Sequence, residues 1–307
     1  MSNVNEDNST IIDGKKISQK IREWLKLEIE KLRKSYNFIP GLAVILVGND
    51  PASEIYVKNK EKQSLEVGMN SWKYKLLAES SAQEIIDQIH KLNKDDSVDG
   101  ILVQLPLPEH SSSLERKIIS EINPNKDVDG LHVVNAGKLV SGDTGLFPAT
   151  PSGCLLLLKE YFPNLSGKKA LIVGRSNLVG KPIASMLLNE NCTVTMSHSK
   201  TENLISECKQ ADIIIAAIGI PEFIKAEWIK KDSIIIDVGI NRIEESNSSK
   251  QKIVGDVDFE EAIKFCKAIT PVPGGVGPMT IACLLLNTLK ASCIRRNLEP
   301  PKFDFTS

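Results

Sequence analysis

Apolar residues recur along the first half of the chain at two alternating periods. Helical spacing over 17–32 is followed by a β-branched run at 42–47, a helical stretch at 53–67, a strand-like run at 72–77, a helix at 82–92 and a strand at 100–105. Strands that alternate with helices predict a mostly parallel sheet covered on both faces.

The pattern restarts near residue 150, where Thr150 before Pro151 predicts the start of a helix over 152–161. Strands are predicted at 169–173, 193–197, 212–218 and 233–238, and an apolar helix follows at 280–294. We predict an α/β fold of two α/β domains, the second a Rossmann-like doubly wound parallel sheet. The first domain covers 11–150 and is completed by the C-terminal helix at 281–300; the second covers 151–280. A disordered lead-in covers 1–10.

Composition narrows the class of protein. The 307 residues are 41% hydrophobic and 25% charged, with a net charge of −1, so no basic field predicts binding to nucleic acid or a membrane. The six cysteines form no Cys-x-x-Cys pair, which favours buried, reduced thiols over disulfides or a metal site. The first ten residues have neither an apolar core nor an arginine, and we expect a cytoplasmic protein.

A glycine-rich turn follows the first strand of the second half. The segment from Gly174 through Arg175 and Ser176 to Gly180 joins that strand to a helix, whose N-terminus offers free N–H groups to phosphate. Its Gly-x-x-x-x-x-Gly spacing meets the usual dinucleotide fingerprint only in part. From this turn alone, nucleotide binding and a plain strand–helix turn are about equally supported.

The end of the next strand favours NADP over NAD. An NAD site usually has an acid there for the ribose 2′-OH, whereas this strand runs into His198, Ser199 and Lys200 without one. Together with Arg175, these residues suit a 2′-phosphate, which pairs well with a guanidinium. His198 is equally compatible with a purely local role in its loop.

Polar side chains in the first half form a second candidate site. Tyr56 and Lys60 are one helical turn apart and share a face, whereas Lys58 and Lys62 lie on roughly the opposite face. Spacing alone nevertheless favours solvated charges for all three lysines.

Three further segments could reach a ligand. Gln104 closes a predicted strand, at the end where α/β sheets collect ligands, although its amide could equally cap loop backbone. In the turn that follows residue 126, Asp127 could simply shape the chain, and Asp129 could accept hydrogen bonds from an amino-heterocycle. The proline- and glycine-rich loop at 270–280 exposes bare backbone to a flat ligand, or is a structural turn before the last helix.

These segments together resemble the bifunctional methylenetetrahydrofolate dehydrogenase/methenyltetrahydrofolate cyclohydrolase family. The resemblance covers residue 11 to about residue 295, and three motifs are highly specific: Tyr56-x-x-x-Lys60, Gln104 followed by Leu-Pro-Leu-Pro, and Pro-Val-Pro-Gly-Gly-Val-Gly-Pro from Pro271. It implies an active-site cleft between the two domains.

The resemblance also implies roles for individual residues. The catalytic residues would be Lys60, Gln104, Tyr56 and Asp129, with Lys60 hydrogen-bonded to Gln104, Tyr56 stacked on the folate and Asp129 anchoring the pterin. The substrate-binding residues would be Tyr56, Lys60, Val103, Gln104, Leu105, Asp129, Pro271, Val272, Pro273, Gly274, Gly275, Val276, Gly277, Pro278 and Met279. The NADP-binding residues would be Gly174, Arg175, Ser176, Ser199 and Ile240.

The implied activity is NADP-dependent oxidation of 5,10-methylenetetrahydrofolate and hydrolysis of the 5,10-methenyl product to 10-formyltetrahydrofolate. That activity belongs to one-carbon metabolism and purine biosynthesis. The family implies a homodimer, with tetrahydrofolate derivatives as small-molecule substrates and no metal. Two alternatives are a monofunctional, NAD-preferring methylenetetrahydrofolate dehydrogenase and a non-catalytic nucleotide-sensing protein on a doubly wound fold. Lys60 argues against the first, and the combination of Tyr56, Lys60 and Gln104 against the second.

Overall fold

The computed structural model describes residues 10–244 and 251–303 as alternating strands and helices. The strands are β1 (Thr10–Ile11), β2 (Gly41–Val47), β3 (Asn70–Leu76), β4 (Gly100–Val103), β5 (Lys169–Val173), β6 (Thr193–Ser197), β7 (Ile213–Ala216), β8 (Ile234–Asp237), β9 (Asn241–Glu244), β10 (Gln251–Val254) and β11 (Ala268–Ile269). The helices are α1 (Gly14–Tyr36), α2 (Pro51–Glu66), α3 (Ala82–Lys94), α4 (Glu109–Ser112), α5 (Glu115–Ser120), α6 (Val133–Ser141), α7 (Ala149–Tyr161), α8 (Gly180–Asn189), α9 (Leu204–Gln210), α10 (Phe259–Ala262) and α11 (Val276–Ile294), with a 3-10 turn at Ala226–Trp228.

The chain divides into two compact units. The three-stranded unit comprises Gln19–Ala149 and the chain from Ile281 onward, and the six-stranded unit comprises the chain up to Ser18 and Thr150–Thr280. Each unit is named here for its parallel sheet.

The sheet of the three-stranded unit has the order β3-β2-β4, with every pair parallel. β2 is the central strand and is buried along its whole length, as its continuous apolar sequence predicts. Packed against the sheet are α3 and α5, whose buried isoleucines share a core with alternate residues of β2 and β4. The sheet therefore holds the carboxyl ends of β2 and β4 side by side on a rigid support.

The six-stranded unit carries a parallel sheet of order β1-β11-β8-β7-β5-β6, and its short antiparallel hairpin joins β9 to β10. The chain runs outward from β5 to β6 and then crosses back to β7 on the other side of β5. This reversal is the switch point at which doubly wound sheets bind ligands. The α/β fold with a Rossmann-like second domain is thus confirmed.

Helix α11 is apolar and mostly buried. It is the one described helix that is long and apolar enough to cross a bilayer, and 61% of its apolar window is buried within the protein. Its C-terminal end is tied to the three-stranded unit by Arg295 and Arg296, whose guanidinium groups donate to the fully buried carboxylate of Asp99 at 2.5 and 2.7 Å. Such burial is typical of a core helix.

Residues 1–9 of the predicted lead-in lie outside the described residues, but Thr10 is in β1, which pairs with β11; the chain up to Ser18 therefore belongs to the six-stranded unit instead of the first domain. Helix α7 begins at Ala149, so Thr150 is inside it, where its hydroxyl is 3.0 Å from that of Thr280. All six cysteines are buried and none is in a disulfide.

Candidate active site

Helix α2 places Lys60 on its buried side. The helix begins cleanly because Asp50 Oδ2 accepts a hydrogen bond from the Ser53 main-chain N–H at 2.7 Å, with a proline in the first turn. Lys60 is 7% exposed, whereas Lys58 and Lys62 are exposed. Spacing had placed Lys60 on a separate face but favoured a solvated charge, and the structure shows that this lysine is buried.

Gln104 fixes the amine of Lys60. The Lys60 Nζ donates to Gln104 Oε1 at 2.9 Å, and Gln104 Nε2 donates to the carbonyl oxygen of Leu105 at 2.6 Å. The main-chain N–H of Gln104 in turn donates to Ile45 on the central strand. The amide nitrogen therefore caps loop backbone, which is one of the two roles considered for Gln104, and the amide oxygen binds the lysine.

The turn after residue 126 runs alongside β4. Asp127 forms a parallel bridge with Ile101, so the residues beyond it emerge at the same edge as Gln104. Its Oδ2 accepts from the His132 N–H and from Asn135 Nδ2, at 2.8 and 2.9 Å. Asp127 therefore shapes the turn, as the sequence predicts.

Asp129 is electrostatically coupled to Lys60. Burial lowers the pKa of Lys60, and the negative charge of Asp129 acts in the opposite direction. Burial likewise raises the pKa of Asp129, against the influence of the lysine. The amine is thus held in surroundings that favour its neutral form, and the charge of Asp129 acts against that preference.

The other predicted residues of the three-stranded unit adjoin this group. Tyr56 is 38% exposed one turn before Lys60, so its ring is accessible. Val103 is buried as the last residue of β4, and Leu105 is half-buried and followed by a cis peptide bond to Pro106.

In the six-stranded unit, register aligns four strand ends in one row: Ser197, Val173, Ala216 and Asp237 are consecutive partners across β6, β5, β7 and β8. The turn after β5 needs glycine at Gly174, where φ is +122° and an added Cβ would lie 2.2 Å from the carbonyl oxygen of Ala217.

The candidate cofactor residues follow this row. Arg175, Ser176 and Ser199 are exposed beyond β5 and β6. The Ser176 hydroxyl accepts from the N–H groups of Val179 and Gly180 at 3.1 and 3.3 Å, and so caps the start of α8. Its own O–H remains a possible donor.

In the loop after β6, His198 forms a local hydrogen bond: its Nδ1 accepts from the main-chain N–H of Lys200 at 3.1 Å. This contact fits the local role considered for that histidine. Ile240, three residues beyond β8, is 53% exposed.

The proline- and glycine-rich loop also leaves this edge, because β11 pairs with β8 and ends just before it. Pro271, Val272, Pro273 and Gly274 are exposed or half-buried in the loop, and Gly277 and Pro278, also half-buried, lie in the first turn of α11 rather than in the loop. Gly275, Val276 and Met279 are buried, and Gly153 packs so closely that an added Cβ would lie 2.8 Å from Met279 Cβ. These three buried residues anchor the segment to the rest of the six-stranded unit.

The sequence analysis did not predict that the start of α1 contacts this loop. The N–H of Lys15 donates to the carbonyl oxygen of Gly274 at 3.1 Å, and an added Cβ at Gly14 would lie 1.8 Å from the carbonyl oxygen of Gly275. The start of α1 therefore packs directly on the loop backbone. The glycine of the sequence Asp-Gly-Lys-Lys was the only available signal.

Known proteins match almost the whole chain. "Tetrahydrofolate dehydrogenase/cyclohydrolase, catalytic domain" matches residues 12–129, and the NAD(P)-binding domain of the same family matches 148–296. The "Bifunctional protein FolD" of Zymomonas mobilis is 53% identical, over 94% of this chain and 97% of its own.

Solved structures agree. The bifunctional FolD methylenetetrahydrofolate dehydrogenase/cyclohydrolase of Campylobacter jejuni has a TM-score of 0.88 at 49% identity, over 94% of this chain and 99% of its own. The Trypanosoma brucei methylenetetrahydrofolate dehydrogenase-cyclohydrolase, solved with NADP and an inhibitor, has a TM-score of 0.88 at 34% identity, over 94% and 98%. The resemblance carried by the sequence motifs is thereby confirmed, and this chain belongs to the tetrahydrofolate dehydrogenase/cyclohydrolase family.

Proposed function

We propose that this protein oxidises 5,10-methylenetetrahydrofolate with NADP and hydrolyses the 5,10-methenyl product to 10-formyltetrahydrofolate. Family membership carries the reaction type. The observation that carries the hydrolytic step is the buried Lys60 amine, held 2.9 Å from Gln104 Oε1 and coupled to Asp129.

In the hydrolytic step, water adds to the methenyl carbon and the ring opens at one nitrogen. Both protons of the water must leave its oxygen: one ends on the departing ring nitrogen and the other is released to solvent. Lys60 with a lowered pKa can accept a proton from the water and deliver it to the ring nitrogen, and Gln104 orients its amine. Asp129 is the proposed anchor of the pterin amino group.

In the oxidation, NADP held by Gly174, Arg175, Ser176, Ser199 and Ile240 would supply the hydride acceptor for the methylene carbon. The residues of the chain position the reactants and add no covalent chemistry of their own. Tyr56 is the proposed stacking partner of the folate, with Val103, Leu105 and residues Pro271 to Met279 as further contacts. Because the loop of Pro271 leaves the sheet next to β8, it adjoins the strand that precedes Ile240, one of the proposed NADP contacts.

The residues at the β5 and β6 ends fit NADP. The turn from Gly174 brings bare backbone to the switch point, and Arg175 and Ser199 follow adjacent strands whose last residues are in register. The described end of β6 has no acid that would repel a 2′-phosphate. The T. brucei relative was solved with NADP, which supports the same choice here.

The test compares oxidation of methylenetetrahydrofolate with NADP and with NAD, following methenyl accumulation. Arg175→Ala should raise the KM for NADP at least tenfold and leave the KM for NAD within about threefold, because only NADP carries the phosphate that pairs with the guanidinium. Lys181→Ala, which removes an exposed cation on α8, is the matched control.

Outcomes of this assay separate the alternatives. Equal losses for both cofactors in Arg175→Ala would contradict the 2′-phosphate assignment. Turnover with NAD but not with NADP, without hydrolysis of the methenyl product, would favour the monofunctional dehydrogenase. Absence of turnover with either cofactor would favour the non-catalytic nucleotide-binding protein.

We also propose a cytoplasmic homodimer that serves one-carbon metabolism and purine biosynthesis, without binding nucleic acid or membranes. The family resemblance supports the dimer, and the net charge of −1 is consistent with the absence of polyanionic partners. Light scattering after size-exclusion chromatography tests the dimer, which a monomer mass at micromolar concentration would contradict.

A further inference from the structure

Two buried carboxylates lie at the carboxyl edge of the six-stranded sheet. Asp237 is the last residue of β8 and is 3% exposed, and Asp256, just after β10, is fully buried. Neither forms an ion pair with a basic side chain of the described residues. Main-chain N–H groups and one amide side chain are their hydrogen-bond donors instead.

Asp256 ties two loops together. Its Oδ2 accepts from the N–H groups of Ile218 and Gly219 at 2.7 and 2.9 Å, directly after β7. Its Oδ1 accepts from Asn241 Nδ2 at 2.9 Å, in the strand that follows the β8 loop. One carboxylate thus fixes the separation between the loops after β7 and β8.

Asp237 holds Asp256 in place. Its Oδ1 accepts from the N–H groups of Gly239 and Asp256, and its Oδ2 from that of Val257, each at 2.9 Å. An added Cβ at Gly255 would lie 1.9 Å from Asp237 Oδ2, and one at Gly239 would lie 2.2 Å from Asp256 Oδ1. The carboxylates therefore pack directly on bare backbone, with no room for a longer acid.

Burial of the Asp237 carboxylate carries a free-energy cost. Burial raises the pKa of Asp237 to about 7 despite its three N–H donors, so the ionised form is disfavoured inside the protein. Carboxyl groups with strongly perturbed pKa values are concentrated at functional sites, so the position of Asp237 behind the two loops supports a functional role for them.

The order of the sheet indicates which end of the cofactor these loops receive. Arg175 and Ser199, proposed for the 2′-phosphate, follow β5 and β6. β8 is three strands from β6, about 14 Å away at ordinary strand spacing. A dinucleotide laid across the switch point with its adenosine half at β6 therefore brings its nicotinamide to the loops after β7 and β8.

Both of these loops present an exposed isoleucine. Ile220, two residues beyond the Asp256 contact at Ile218, is 47% exposed, and Ile240 is 53% exposed. Exposed branched side chains at a ligand-binding edge are suited to cover a flat ring.

We propose that Asp256 is a positioning residue for the nicotinamide end of NADP: it fixes the two loops that carry Ile220 and Ile240 against the ring. Asp237 acts behind it by fixing the backbone of Asp256. The inference rests on the proposed NADP-linked dehydrogenase and adds residues of this chain that touch no reacting atom.

The test is Asp256→Asn, which keeps the shape of the side chain but converts one acceptor oxygen into a donor. Dehydrogenase kcat/KM for NADP should fall at least tenfold, and substrate deuterated at the methylene should give a larger isotope effect as hydride transfer becomes slower. Hydrolysis of methenyltetrahydrofolate, assayed without NADP, should stay within twofold.

Asp212→Asn is the matched control. That carboxylate also accepts a main-chain N–H, from Lys169 at 2.9 Å, but at the opposite end of β7. It should leave both activities within twofold. An equal loss in the two aspartate variants, or an equal fall of both activities in Asp256→Asn, would overturn positioning in favour of a general structural role.

Asn241→Ala decides the question if Asp256→Asn does not fold. It removes one of the three hydrogen bonds to the Asp256 side chain, together with a 3.2 Å contact from Asn241 Nδ2 to the carbonyl oxygen of Gly255, so the oxidation should weaken about threefold or more while hydrolysis is unchanged. Unchanged oxidation in this variant would overturn the proposal. Failure of the wild-type protein to reduce NADP would instead overturn the proposed function, which keeps the two failures distinct.

Discussion

Replacement of Lys60 by methionine tests the proposed hydrolytic chemistry most directly. Lys60→Met keeps the unbranched stem of the side chain and removes the amine that donates to Gln104 Oε1. The side chain is only 7% exposed, so methionine suits the site and the free energy of unfolding should not fall. A change in activity can then be assigned to chemistry.

The size of the effect follows from the role. A positioned general acid–base contributes about 10²–10⁴-fold, which corresponds to about 2.7–5.4 kcal/mol of activation free energy. We expect hydrolysis of methenyltetrahydrofolate to fall by that factor, because no other amine of α2 is buried. NADP affinity should be unchanged, since the proposed cofactor residues are all in the six-stranded unit.

The assay follows loss of the methenyl chromophore without cofactor, and NADP is titrated on the same preparation. Lys58→Met, at an exposed position of the same helix, is the control and should retain full hydrolysis. Hydrolysis by Lys60→Met within about threefold of the wild-type rate would refute the assignment of Lys60 as acid–base.

The coupling to Asp129 fixes the sign of a pH effect. Burial lowers the pKa of Lys60 and the charge of Asp129 opposes this, so hydrolysis should increase with pH as the amine loses its proton. Asp129→Asn removes the opposing charge, lowers the pKa further and should move this increase to lower pH. A shift of the kcat profile to higher pH would contradict the coupling.

Two predictions concern stability. Asp99→Asn should lower the free energy of unfolding by about 3 kcal/mol or more in urea titrations, because it leaves two partly buried arginines without their carboxylate; a loss below about 1 kcal/mol would contradict this. Asp237 has a folded pKa of about 7, above its unfolded value of 3.8, so its stabilisation is present below about pH 4 and is lost as pH rises through 7. Between about pH 4 and pH 7 the free energy of unfolding of the wild type should therefore fall by up to about 4 kcal/mol relative to that of Asp237→Asn. A difference in unfolding free energy between the two proteins that does not change with pH would refute the linkage.

Local pattern was sufficient for most regular elements. Strands at Lys169–Val173 and Thr193–Ser197 were predicted with their observed bounds, because branched apolar runs between turn residues have few other stable conformations. Helix α2 begins at Pro51, two residues before the predicted start, because Asp50 caps it. The shortest strands, β1 and β11, were missed, since two residues carry no detectable period.

For the candidate sites, local sequence identified some features and tertiary packing decided others. The sequence by itself supplied the glycine turn, the missing acid after β6 and the family motifs, all of which are local. Helical spacing placed Lys60 on a different face from Lys58 but favoured solvated charges for both. The tertiary structure decided that Lys60 is buried, because burial depends on what packs against a helix face. The link from Asp237 to Asp256 was likewise invisible, since it joins strand ends that are 19 residues apart in sequence. Long-range hydrogen bonds at the edge of a sheet follow from strand order, and strand order is a property of the folded chain.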